Sequence, residues 1–177
     1  MSVRRIALVA TAVLGVAGLA AALLHREHRV ERSVDIAATP DEVWATLTDF
    51  TAYGQWNPFI REVSGPVETG GRLTVTITPA RGSVMTFTPS VLAADPGREL
   101  RWLGRVLVPG LLDGEHAFTL EALTLPDGTV GTRLTQSERF AGVLVPFLGG
   151  AIDVGDDFAA MNDALRDRTE AGATLGR

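Results

Sequence analysis

Neither cysteine nor lysine occurs in this chain of 177 residues, and it holds only three histidines. Without cysteine there is no disulfide, no thiolate metal site, no cysteine nucleophile and no lipidated cysteine, while the redox compartment stays open. The lysine gap stands beside abundant Ala, Gly and Val, so it is a bias of composition and carries no functional meaning. His25 and His28 lie close together near the N-terminus and only His116 lies further in. A multi-histidine site is therefore excluded, and the H-E-x-x-H zinc pattern is missing. There is no Walker loop, no glycine-rich dinucleotide fingerprint after a strand and no G-x-S-x-G elbow. No metal and no cofactor are expected. The formal net charge is −5, but from residue 30 onward 12 arginines face 20 carboxylates, a net of −8. Such a surface repels phosphate backbones and argues against a nucleic-acid partner.

One long apolar run is present. Residues 6–24 carry no charge and only Thr11 as a polar side chain. Nineteen such residues are enough to span a bilayer core as a helix. Residues 1–29 are accordingly expected to be a single-pass membrane anchor with a short juxtamembrane linker. A secretory signal cleaved near Ala20-Ala21-Ala22 is the alternative, and it would release a secreted domain. Arg4 and Arg5 precede the run while Arg26, Arg29 and Arg32 follow it, so the positive-inside rule does not fix the orientation. A short arginine-headed tail favours a domain outside the cytoplasm over one facing it. The remaining length suits one domain with its own core.

From residue 30 the pattern turns amphipathic. Val30, Val34 and Ile36, with Arg32, alternate against Glu31, Ser33 and Asp35, the pattern of a strand with one buried face. Thr39-Pro40-Asp41-Glu42 combines a capping threonine, a first-turn proline and a capping-box glutamate, which predicts a helix start. A second short helix over 51–56 must stop before Asn57-Pro58. Strands are then expected over 59–64, 72–78, 83–93, 99–108, 111–122 and 129–140, with Pro89 forcing an edge or bulge. Leu125-Pro126-Asp127-Gly128 predicts a type I turn with Gly128 in the left-handed bulge position. Counting outward from that turn pairs Leu120 with Leu134, Phe118 with Gln136 and His116 with Glu138, all six on one face. Val154, Phe158, Met161 and Leu165 share one face of a final helix after Gly149-Gly150.

The order strand, two short helices, six strands and a long helix resembles the START-like (SRPBCC) superfamily. Ala38 to Trp44 resembles the entry into its first helix, and Trp56-Asn57-Pro58 the exit from its second. Gly114-Glu115-His116-Ala117-Phe118 and the stretch Thr135 to Gly142 resemble its bacterial polyketide cyclase/dehydrase branch; Phe158 to Leu165 resembles its final helix. The resemblance covers residues 30–172 and leaves 173–177 as a tail. It implies an α+β helix-grip (START/Bet v 1-like) fold, a curved antiparallel sheet around a long C-terminal helix with a pocket between them for lipids, polyketides or other apolar molecules. No fixed catalytic set comes with it.

His116, Gln136 and Glu138 are the one polar constellation, expected on the concave face among Met85, Trp102 and Phe118. A carboxylate opposite an imidazole can orient the ring and act as a general acid/base pair. The plainer reading is a polar cross-strand pair at a water-accessible rim, or a ligand-orienting pair. Trp56, Met85, Phe87, Trp102, Phe118, Phe158, Met161 and Leu165 complete the candidate ligand-binding set, though large apolar side chains serve core and cavity alike. The expected function is membrane-tethered binding, or transfer, of a hydrophobic small molecule. The alternatives are a cyclase or dehydratase using His116 and Glu138 as acid and base, and a regulatory domain whose cavity its own side chains fill. The oligomeric state is left open.

Overall fold

Thr39 starts the first helix, α1 (Pro40–Thr48), by the device its sequence announces: its hydroxyl accepts from the Glu42 N–H, and the Glu42 carboxylate accepts from the Thr39 N–H at 2.8 Å. The computed structural model of the protein describes residues 25–175. The apolar run 6–24 lies outside the described residues. Among the described residues no helix is long and apolar enough to cross a membrane.

After α1 a single 3₁₀ turn (Phe50–Ala52) leads into α2 (Tyr53–Trp56). Asn57 then reverses the chain, its side-chain oxygen accepting from the N–H groups of Phe59 and Ile60 at 3.0 and 2.8 Å. The strands are β1 (Arg26–Ile36), β2 (Ile60–Ser64), β3 (Thr74–Ile77), β4 (Met85–Phe87), β5 (Ser90–Asp95), β6 (Glu99–Val106), β7 (Leu112–Thr124) and β8 (Val130–Gly142). A short helix α3 (Val145–Leu148) and a 3₁₀ turn precede the long α4 (Gly155–Leu175).

Every strand pair is antiparallel, and the strands divide into β1-β8-β7-β6-β5 and β2-β3-β4. This corrects the expectation of one continuous sheet. Pro89 is the physical reason: it has no N–H to donate, and the expected strand 83–93 breaks around it into β4 and β5. The two sheets stay joined beside the break, where Leu73 donates to the Pro89 carbonyl and Arg72 bridges to Ser90. Two more differences concern the ends. β1 begins at Arg26, so residues expected as linker are paired with β8 from Arg26↔Gly142 onward. α4 runs into the expected tail as far as Leu175.

The hairpin register is the one the turn chemistry predicts. Gly128 takes φ 84, Leu125 donates to the Thr129 carbonyl, and β7 pairs with β8 through Leu120↔Leu134, Phe118↔Gln136 and His116↔Glu138. Phe158, Met161 and Leu165 of α4 are fully buried in the core cluster that also holds Trp102, Phe118 and Leu134 of the sheet. Each such side chain contributes roughly 1.5–3 kcal/mol on burial. On the opposite face, arginines ladder the strands together: Arg139 with Glu27, Arg133 with Asp35, Arg101 with Glu115. The hydrogen bond from Arg139 holds the Glu27 carboxyl below its ordinary range.

Tyr53 is fully buried and donates its hydroxyl to the Leu47 carbonyl near the end of α1. Burial, reinforced by nearby Asp49, pushes its ionisation well above the ordinary range for a phenol. Replacing Tyr53 with Phe should lower stability by about 1–2 kcal/mol in urea titration, since Leu47 then lacks that donor. A phenol raised in the folded state contributes its stability below the unfolded value. The wild-type domain should therefore lose stability as pH climbs beyond ~10, and the Phe variant should be less sensitive there.

Candidate functional site

Antiparallel pairing arranges the concave face in rows. One row runs Val91, Trp102, His116, Glu138 and Val30 across five strands. The next row toward the N-terminal end of the domain holds Gly104 and Gly114 opposite one another, then Phe140 and His28. Two facing glycines leave the sheet bare where its neighbours carry rings. A Cβ at Gly104 would stand 3.4 Å from the Phe87 ring, and one at Gly114 only 2.6 Å from a Glu138 carboxylate oxygen. Over that bare patch lies a cavity of about 260 Å³, roofed by Phe158 and Val154 of the helix side and walled by Phe59, Phe87 and Ile152. Met85 and Val106 also line it and are largely exposed, so the cavity opens at that end.

His116 is the polar centre of the wall. Its Nδ1 lies 2.6 Å from a Glu138 oxygen, and its Nε2 lies 3.2 Å from the side-chain nitrogen of Gln136. An amide N–H can only donate, so Nε2 accepts and Nδ1 carries the proton directed at Glu138. The ring stacks on Trp102 at 4.8 Å with 9° between planes, and meets the edges of Phe118 and Phe158. Gln136 also donates to the Met161 sulfur at 3.5 Å, while its oxygen is buried without a partner. The side-chain exposure of 5% for His116 and 12% for Glu138 corrects the rim expectation: the pair is interior, in the middle of two strands. Aromatic contacts fix the imidazole on three sides, so its one accessible direction, with Glu138, is the cavity.

The structure brings Met85, Phe87, Trp102, His116, Glu138 and Phe158 to the cavity wall. It places Phe118, Gln136, Met161 and Leu165 in the fully buried core behind it. Trp56 packs edge-on against Tyr53 and does not reach the cavity. Sequence reasoning missed Gly104 and Gly114, although the signal was there: each lies two positions from Trp102 or His116, and alternation alone puts both on the inward face. It also missed α3 and the 3₁₀ turn, whose Leu148 and Ile152 close one side. The approach to Gly149-Gly150 carries no helical period long enough to reveal them. Among the described residues no cluster of His, Asp and Glu could hold a metal ion.

A sheet wrapped on a long helix, hollow at one end, defines a helix-grip domain with an internal apolar cavity. The family model for "Polyketide cyclase / dehydrase and lipid transport" matches residues 27–170, and the chain belongs to that family. Among solved structures it is similar to the Zhui aromatase/cyclase from Streptomyces sp. R1128, at 20% identity and TM-score 0.62, covering 82% of this chain and 94% of that one. A START superfamily protein from Mycobacterium smegmatis matches at 21% and 0.61, over 81% and 98%. Norcoclaurine synthase from Thalictrum flavum, in complex with dopamine and hydroxybenzaldehyde, matches at 13% and 0.59, over 82% and 87%. At these identities the likenesses establish the fold. No curated protein matches the chain.

Replacing Glu138 with Leu strands the imidazole proton in apolar surroundings and should cost about 1–3 kcal/mol in thermal unfolding. Glu138→Gln keeps an acceptor and should cost less than half as much. Nitrogen-resolved NMR of the wild-type ring should find the proton on Nδ1 alone.

Proposed function

We propose that this domain reversibly binds a hydrophobic small molecule or lipid in its cavity while residues 6–24 hold it at a membrane, with the domain on the extracytoplasmic side. The carrying observation is the cavity of about 260 Å³, whose wall is apolar apart from the His116–Glu138 pair and Arg105, which is ion-paired with Asp113. Ligand pockets commonly span about 300–1,000 Å³. The volume therefore suits a small ring system, or one arm of a larger lipid whose remainder leaves through the open end. Burial supplies ~0.8 kcal/mol per methylene, and the Glu138 carboxylate, held by His116, supplies direction by accepting a hydrogen bond from one hydroxyl of the guest. Family membership supports an apolar guest.

One observation favours a second reading. A carboxylate 2.6 Å from an imidazole, both bordering the cavity, is the arrangement a general acid/base pair requires. Both ring nitrogens of His116 are engaged, so cyclisation or dehydration of a polyketide-like guest would use Glu138 to move the proton and His116 to orient and charge-balance the carboxylate.

The test begins with native mass spectrometry of the purified full chain in detergent, looking for a co-purified apolar molecule. An apolar fluorescent probe, N-phenyl-1-naphthylamine, then reports on the cavity. Gly104→Ile builds a side chain into the hollow and should weaken probe binding at least tenfold while leaving the unfolding midpoint unchanged or raised. Equal probe affinity in the variant would refute binding at this cavity. His116→Phe separates the two readings. Under binding, affinity for the co-purified molecule falls by ~1–3 kcal/mol, because Glu138 is no longer held in the position from which it meets the guest. Under catalysis, conversion stops at nearly unchanged affinity.

A further inference from the structure

Six of the eight large apolar side chains exposed among the described residues surround one end of the domain. Val84 stands just before β4 and Met85 at its start, Val106 at the end of β6, Leu107 and Val108 in the β6–β7 turn, and Phe147 in α3. The cavity opens between these three lips, since Met85 and Val106 line it and so does Leu148 beside Phe147. The central lip is built to project. Val108 donates to the Val106 carbonyl at 2.8 Å, closing a three-residue turn with Leu107 at its apex. Leu107 has φ 61, the single positive value at a non-glycine among the described residues, and is 88% exposed. That turn type is rare and strained, and a leucine is a poor occupant of it. Nothing within the domain rewards a strained leucine held in water.

The chain enters the fold at this same end. Arg26 pairs with Gly142. The next two residues, Val143 and Leu144, donate to the carbonyls of Gly110 and Leu111 in the β6–β7 turn. The uncharged run ends at Leu24, two residues before Arg26, which is a reach of roughly 7 Å. From β1 to β6 is three strand spacings, roughly 14 Å. A bilayer that holds residues 6–24 therefore lies within contact distance of the β6–β7 turn and of α3, and the domain has little slack with which to turn them away.

We infer that the lips dock on the lipid bilayer itself, with Leu107, Val108 and Phe147 immersed at the headgroup–acyl boundary. The cavity mouth then opens onto the acyl layer, and a guest passes between membrane and cavity without crossing water. This rests on the membrane-tether part of the reading above and is independent of which guest the cavity holds.

The absence of native cysteine makes the test direct. Leu107→Cys and Phe147→Cys, each in the full chain, are labelled with an environment-sensitive fluorophore and reconstituted into phosphatidylcholine vesicles. Val130→Cys, also exposed but in the strand after the β7–β8 turn at the far end, is the control. Labels at 107 and 147 should be quenched by lipids carrying acyl-chain nitroxides and shielded from aqueous iodide, with the reverse at 130. If the chain floats with the vesicles but 107 and 147 respond to iodide as 130 does, the tether stands and the docking is wrong. A chain that does not float sinks both. Shielding from lipid and iodide alike would mean a second copy on the lips, and also overturns the docking. A charged pair of lip changes, Leu107→Glu with Phe147→Glu, should slow transfer of N-phenyl-1-naphthylamine from vesicle to cavity at least tenfold. Its equilibrium binding should stay the same. An unchanged transfer rate overturns the inference, whereas absent binding in the wild type counts against the cavity reading alone.

Discussion

The register of one hairpin decides which side chains the protein has inside. β7 and β8 are 13 residues each, and their alignment follows from the five residues Leu125 to Thr129. Side chains alternate strictly along a strand, so a slip of one residue would turn one partner's set outward. His116 would then face Ser137 or Arg139, and the bare patch at Gly114 would no longer lie under Glu138. Trp102 and Leu100 inherit their facing from β7 through β6, and Val30 inherits its facing from β8 through β1. The concave surface is in this sense the continuation of a single turn. Gly128, free to take φ 84, is the residue that permits it.

Along that surface the protein changes from solid to hollow. At the end near α1, Leu100, Phe118, Leu120 and Leu134 share one buried core cluster with Met161 and Leu165. At the other end Gly104 and Gly114 replace large side chains and the cavity begins. The polar row sits on the boundary between the two regimes. Gln136 belongs to the packed side, His116 spans both, and Glu138 reaches the open side over the backbone of Gly114. Packed aromatic rings hold the imidazole while Glu138 faces space, and rigid support of this kind is what pre-orients a polar contact before any guest arrives.

Much of this was legible in the amino-acid order, because local rules acted without competition. The capping box at Thr39 and Glu42, the turn at Pro126-Asp127-Gly128 and the four-residue spacing of Val154 and Phe158 each have one good structural solution. Alternation correctly placed Trp102, His116 and Phe118 inside, but it could not say which apolar residues touch empty space and which touch each other. Phe87 and Phe118 have the same chemistry; one lines the cavity and the other does not, for reasons that depend on α4 and on the missing side chain at Gly104. The rim expectation for His116 failed for a related cause. Polarity suggests water, yet stacking on Trp102 and hydrogen bonds on both ring nitrogens let an imidazole lie in the interior. The split of the sheet at Pro89 was half visible, as a break in one strand, but not as the border between two sheets.

The pairing of β1 with β8 also has a temporal side. Arg26 and Gly142 are more than a hundred residues apart, so as the polypeptide leaves the ribosome the first strand is complete long before its partner exists. Closing so large a loop is slow, and an unpaired strand is a template for association with other chains. β1 is suited to that wait. Arg26, Glu27, Arg29, Glu31, Arg32 and Asp35 put charge of both signs along eleven residues, leaving few apolar side chains for another strand to recognise. The strand that closes the sheet last thus carries its own protection against premature partners during synthesis.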